Sequence, residues 1–320
     1  MATSIAAIGV PTSLGGVPLG AELGPSELRK RGLFDRLRDL DVEITDFGDV
    51  PIPTNTRAGI RAGMGPNRLA SIETVSRWVA KYSWRALGEG MTPLVMGGDH
   101  SAALGNIAAA AQVVPGLGIV WIDAHPDFNT QETSPTSNVH GMVLAIAAGW
   151  GPSPLARLLG FAPMVHAERI VIIGARSIDA GEMSNLRRAG VRVYENEHVE
   201  RYGVRATIGD AMAYLAANQT RAVHLSVDLD VLDPNQWPGV STAVSGGMSA
   251  ADLCLSVQTV AEMAPISSMD IVELTPPEDA EGVTAEAAME VVECALAPRP
   301  AVQLAGEAAR RSSATSLKAS

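Results

Sequence analysis

At 320 residues the chain accommodates one large α/β domain or two ordinary ones, and a hydrophobic fraction of 47% supplies a sizeable core. A formal net charge of -11 speaks against nucleic acid, which demands clustered Lys and Arg, and no apolar run reaches the ~18 residues of a membrane span. The same charge suits a cationic small molecule, although solubility alone also accounts for an acidic surface. With aromatics at 4%, the core is built mainly from Ala, Val, Leu and Ile. Cys254 and Cys294 lie in apolar segments without a CxxC pairing, as buried free thiols do. The opening Met-Ala-Thr-Ser-Ile-Ala-Ala has no basic stretch, so no secretory signal is expected and a cytoplasmic location is.

In chain order, residues 5–10 read as a buried strand followed by the Gly-rich segment 15–20. Pro25 then opens a helix whose Leu28, Leu33, Leu37 and Leu40 recur at helical spacing. A strand at 42–47 leads through a Pro-rich loop, 51–66, into a long helix past Val79 and Leu87. Further strands are predicted at 93–96, 119–122, 170–173, 191–194, 222–227 and 268–274. Helices are predicted at 101–112, just after His140, and over 181–189, 205–217, 250–261 and 284–295. Short apolar runs alternating with helical patterns define βαβ units and a parallel sheet covered on both faces. No repeat or linker divides the chain. One domain over residues 1–298 is expected, with a flexible tail over 299–320 where large apolar residues become scarce.

Three strand ends concentrate potential ligands. The run 119–122 terminates in Asp123-Ala-His125-Pro-Asp127, whose alternate side chains share one face of an extended chain. Gly97-Gly-Asp-His-Ser101 brings His100 to another strand end through a tight glycine turn. Ser226-Val-Asp-Leu-Asp230 carries Asp228 and Asp230 on one face, and two like charges are costly to bury together without a cation. Asp233-Pro234, by contrast, reads as a turn. Two imidazoles and four carboxylates without a thiolate favour Mn²⁺ or a similar divalent ion over structural zinc. Four carboxylates also balance two such ions, and a pair about 3.5–4 Å apart activates a bridging water. All six residues fall at carboxyl ends of strands, where open α/β sheets place their sites.

These three segments resemble the signatures of the ureohydrolases, the family of arginases, agmatinases and related amidinohydrolases, and the likeness runs from about Ile5 to Ala297. The resemblance implies a three-layer α-β-α fold with an eight-stranded parallel sheet, two Mn²⁺ per chain, and a homo-oligomer, trimeric or hexameric. It assigns one ion to His100, Asp123, Asp127 and Asp228, and the other to His125, Asp123, Asp228 and Asp230. The loop 129–140 is similar to the arginase loop that grips an amino acid, which implies carboxylate contacts from Asn129, Thr136 and Asn138. In Arg176-Ser-Ile-Asp-Ala-Gly-Glu182, the matching Asp179 and Glu182 would serve the α-amino group. Read without the family, that segment is a helix N-terminus with favourable acids.

Glu273 would pair with the substrate's guanidinium, and Thr242 matches a residue lining that end. Asp127 would accept a hydrogen bond from the attacking hydroxide, and His140, with a pKa near working pH, would shuttle a proton to the departing amine. The implied reaction is hydrolysis of L-arginine to L-ornithine and urea. The alternative is another amidinohydrolase, acting on agmatine, a guanidino acid or an N-hydroxylated arginine. Retention of the amino-acid-gripping residues favours arginine, because agmatine has no carboxylate. A catalytically dead binding protein of the same fold is disfavoured by the presence of all six ligands.

The chain departs from the arginase pattern at several positions. Thr136-Ser137 stands for Ser-Gly, Val231 for Gly, Ser241 and Ala243 for the Gly and Pro around Thr242, Thr275 for Asn, and Leu19 for Arg.

Overall fold

Strand formation follows the apolar runs. The computed structural model describes residues 4–17, 20–53 and 66–297. Its strands are β1 (Ser4–Val10), β2 (Glu43–Asp49), β3 (Thr92–Gly97), β4 (Leu117–Ile122), β5 (Ile170–Ala175), β6 (Arg192–Glu195), β7 (Ala222–Asp228) and β8 (Ile266–Val272). Every one lies within two residues of the predicted bounds. They pair in parallel as a single eight-stranded sheet of order β2-β1-β3-β8-β7-β4-β5-β6. The last strand is therefore internal: Met269 lies opposite Leu94 of β3 on one side and Leu225 of β7 on the other.

Burial explains which runs alternate and which do not. All six residues of β4 and of β5 are buried, whereas the edge strands β2 and β6 are largely open. Successive side chains point to opposite faces. Ile5, Ala7, Val120 and Ile122 face one core, which the helices Val204–Ala217, Ala250–Met263 and Val283–Leu296 cover. Ile8, Val10, Ile119 and Trp121 face the other, under the helices Pro66–Gly88 and Ala103–Val113. Three layers result, as expected of the α-β-α fold. The two helices of the second core approach closely at Gly105, where a Cβ would lie 2.2 Å from the Ser76 carbonyl oxygen.

Some expectations change. The helix from Pro25 to Leu40 is two helices, Gly24–Lys30 and Leu33–Asp39, because Gly32 adopts φ 85 between them. Leu40 falls beyond the second and is exposed. An additional helix, Asn196–Tyr202, follows β6. The eighth strand ends at Val272, not Leu274, since Glu273 turns the chain at φ 63. Cys254 and Cys294 are half-buried rather than buried; their thiols meet between the last two helices and are not disulfide-linked. The tail from residue 299, residues 54–65 of the Pro-rich loop, and Leu19 lie outside the described residues. Among the described residues no helix is long and apolar enough to cross a membrane.

Candidate metal centre

Four neighbouring strands, β3, β8, β7 and β4, end in the same place, and the chain leaves each of them through an acid or an imidazole. After β3, Asp99 accepts the Ser101 N–H and starts a short 3-10 turn that carries His100. After β4, Asp123 accepts the His125 N–H at 2.6 Å, so this loop folds back on its own first ligand. After β7, Asp228 does the same for the Asp230 N–H at 2.8 Å. Asp127 sits at φ 50, a left-handed conformation rare for a non-glycine residue.

These turns gather all six predicted ligands. Single ligand atoms of His100, Asp123 and Asp228 lie within 4.8 Å of one another, as do those of Asp123, His125 and Asp230, so Asp123 belongs to both groups. Asp127 joins the first: its Oδ2 is 3.2 Å from His100 Nδ1. That nitrogen also lies 3.3 Å from Asp123 Oδ2 and 3.0 Å from Asp228 Oδ2, yet it makes no hydrogen bond with geometry to match. The other ring nitrogen, Nε2, is engaged with Ser226 Oγ at 2.8 Å. A tautomer that donates from Nε2 leaves a lone pair on Nδ1 facing three buried carboxylates, and a shared cation is what such a set accommodates.

Electrostatics point the same way. Burial and the charge of Asp123 push Asp127 up to about 7, and burial with the neighbouring carboxylates also raises Asp228 and Asp230. Burial opposes charging of the imidazoles, but the surrounding carboxylates override it, raising His100 well above its ordinary value and His125 to about 12. The metal-free cluster thus retains protons on its imidazoles and carboxylates, and divalent cations, which bind neutral imidazole and ionised carboxylate, would displace them.

A cleft of about 360 Å³ opens beside this cluster. Its wall includes Asn129, Thr136, Asn138, Asp179, Glu182, Thr242 and His140, together with His125, Asp127, Asp228 and Asp230. Asn129 Nδ2 donates to Asp179 Oδ2 at 3.0 Å, tying the loop after β4 to the start of the helix Ala180–Ala189. Glu182 accepts the Phe128 N–H at 2.8 Å and the Asp179 N–H at 3.3 Å. This acid is thus both part of the cleft and the structural helix-start group foreseen as an alternative. Burial pushes its carboxyl up to about 8. Ser137 takes φ 60, which explains why a glycine suits that position.

Glu273 lies deeper, 1% exposed, against the cleft-lining His140. Its Oε1 accepts the His100 backbone N–H at 3.0 Å and meets His140 Nδ1 at 2.9 Å. Burial resists the His140 charge, but Glu273 outweighs it and raises the imidazole to about 9, above the near-neutral value expected from sequence.

Sequence reasoning passed over three supporting residues. Asp99 Oδ2 accepts the Gly15 and Gly16 N–H groups at 2.7 and 3.2 Å, and Gly15 in turn accepts the His140 N–H at 3.1 Å. Trp121 stacks on His100, with centroids 3.9 Å apart, and donates to Asp123 Oδ2 at 2.9 Å. Ser226 holds His100 as described. Each had a signal: Asp99 and Ser226 stand inside the motifs, and Trp121 is two residues before Asp123 on the same strand face.

A parallel sheet whose carboxyl edge carries two imidazoles and four carboxylates beside a cleft defines an α/β protein with a candidate metal centre. A profile of the arginase family matches residues 3–297, and the chain belongs to that family. It is 40% identical over 296 residues to an arginase of Bacillus subtilis, covering 92% of this chain and 98% of that one. Identity to an arginase of Bacillus caldovelox is 39% over 285 residues, covering 89% and 95%. The native structure of the Bacillus caldovelox arginase at pH 5.6 matches with a TM-score of 0.87 at 37% identity, covering 93% of this chain and 99% of that one.

Proposed function

We propose that the chain hydrolyses L-arginine to L-ornithine and urea with two manganese ions. The observation that carries this reading is a juxtaposition: four of the six ligands, His125, Asp127, Asp228 and Asp230, and the Asn129–Asp179 arm line one cleft of about 360 Å³. One ion would be held by His100, Asp123, Asp127 and Asp228, the other by His125, Asp123, Asp228 and Asp230. Donors of nitrogen and oxygen without thiolate suit Mn²⁺. Bound ions of this kind lower the pKa of a shared water and supply a nucleophile at neutral pH.

The remaining work falls to the chain's own side chains. Asn129, Thr136 and Asn138 bind the α-carboxylate of the amino acid, and Asp179 and Glu182 receive its α-amino group. Glu273 orients the guanidinium, with Thr242 beside it, so that water attacks a carbon fixed in place. Asp127 accepts a hydrogen bond from the attacking water. His140, kept protonated by Glu273 with a pKa of about 9, gives its proton to the departing amine as the C–N bond breaks.

The test is urea release from arginine, agmatine and guanidinobutyrate by purified protein, with and without Mn²⁺. Manganese-dependent turnover that is fastest on arginine is expected. Faster turnover on agmatine, which lacks the carboxylate, would transfer the assignment to another amidinohydrolase.

A further inference from the structure

The loop after β7 returns across the sheet edge and forms a single antiparallel bridge, Val240 to Leu274, reinforced by the Thr275 N–H to the Gly239 carbonyl at 2.8 Å. In antiparallel register the residue after Val240 faces the residue before Leu274. Ser241 is thereby set opposite Glu273, and its hydroxyl donates to Glu273 Oε2. The next residue reaches the other side of the site: Thr242 Oγ1 donates to Asp230 Oδ2 at 2.7 Å. Consecutive hydroxyls thus engage two different acids. The sequence marked Ser241 as a departure from the glycine usual there, and the reaction described above leaves it without a task.

An ionised carboxylate offers about four acceptor positions. On Glu273, Oε1 already receives the His100 N–H and His140 Nδ1, and Oε2 receives Ser241. A guanidinium fork needs a position on each oxygen, and Oε1 has none left. Two donors fix Oε1 as a pivot, but among the described hydrogen bonds only Ser241 fixes where Oε2 lies about it.

We propose that Ser241 is a positioning residue for guanidinium binding: its hydroxyl orients Oε2 of Glu273 and leaves one acceptor position for a guanidinium N–H. The inference rests on the amidine-hydrolysing reading above and adds a specificity element to it. A glycine at this position supplies no such donor.

The experiment uses the manganese-loaded protein and two probes of opposite ends of the cleft, guanidinium ion and L-ornithine, each measured as a competitive inhibitor and by calorimetry. Ser241→Ala should weaken guanidinium about tenfold, the weight of one hydrogen bond to a charged group. Ornithine affinity should stay unchanged, and Ser241→Thr should restore guanidinium binding. Equal or tighter guanidinium binding by Ser241→Ala overturns the proposal, as does parallel loss of both probes, which marks a general structural defect. An unaltered protein that binds no guanidinium and releases no urea overturns the functional reading itself, a result distinct from the failure of Ser241 alone.

Discussion

Nδ1 of His140 lies 2.9 Å from Oε1 of Glu273, the same oxygen that accepts the His100 backbone N–H. One carboxylate therefore sets both the charge of the proton donor and the orientation of the turn carrying a metal ligand.

Replacing that acid should uncouple the two. In chelator-treated Glu273→Gln protein, burial is left opposed by less negative charge, and the His140 pKa should fall from about 9 toward or below its ordinary 6.5. The sign for stability follows. A raised imidazole stabilises fully below about 6.5 and loses that contribution as pH rises through about 9. The unaltered chelated protein should lose this contribution across that window, and the variant should not. Histidine NMR titration reads the pKa directly; an unmoved value would refute the coupling.

Trp121 both stacks on His100 and donates to Asp123 Oδ2. Trp121→Phe keeps an aromatic ring but removes the donor to a ligand carboxylate. Manganese affinity should fall ~10–100-fold, as when other outer partners of metal ligands are removed. Competition against a fluorescent chelator measures it, and an unchanged affinity would show that the indole N–H has no part in holding metal.

Glu182 titrates upward, to about 8 from an ordinary 4.5, chiefly through burial. An acid whose folded pKa is raised favours the fold below about 4.5 and progressively less as pH climbs through about 8. Glu182→Gln mimics the neutral acid, so the chelated variant should gain melting temperature over the unaltered protein as pH rises from about 4.5 to 8, by several degrees. Scanning calorimetry at stepped pH would reveal a constant difference if burial does not govern this group.

Gly105→Ala tests the contact between the helices Pro66–Gly88 and Ala103–Val113. Alanine improves helix propensity by about 1 kcal/mol, but its Cβ would meet the Ser76 carbonyl oxygen at 2.2 Å and the Val79 Cβ at 2.6 Å. Backbone against backbone has little room to yield, so a net loss of about 1–3 kcal/mol is expected. A chemical-denaturation midpoint at or above that of the unaltered protein would contradict the packing described.

The ligands were legible because alternation is a local rule: Asp123 and His125, or Asp228 and Asp230, need only the strand before them to be read. Apolar runs bounded by turns gave the strands equally directly. What lay beyond reach depended on strand order. Asp99 holds Gly15 and Gly16, 84 and 83 residues earlier, only because β1 and β3 are neighbours. Ser241 meets Glu273 through a bridge that follows from where two loops cross. The end of β8 was overrun by two residues because Leu274 continues the apolar run while the left-handed turn at Glu273 leaves no trace in hydropathy.

The internal position of β8 has a consequence for how the chain acquires its site. Strands β1 to β3, with His100 behind them, form one half of the sheet, and β4 to β7, with the other five ligands, form the second. Until Ile266–Val272 is made and inserted, the halves share no strand pairing, and each exposes an unpaired edge at β3 or β7. During synthesis the two halves must wait for nearly the whole chain. Uptake of the ion assigned to His100 would then report completed folding, because a nascent chain arrested before residue 266 holds His100 on a sheet apart from Asp123, Asp127 and Asp228. The ligands assigned to the other ion, His125, Asp123, Asp228 and Asp230, all lie on the second half, where β4 and β7 pair directly.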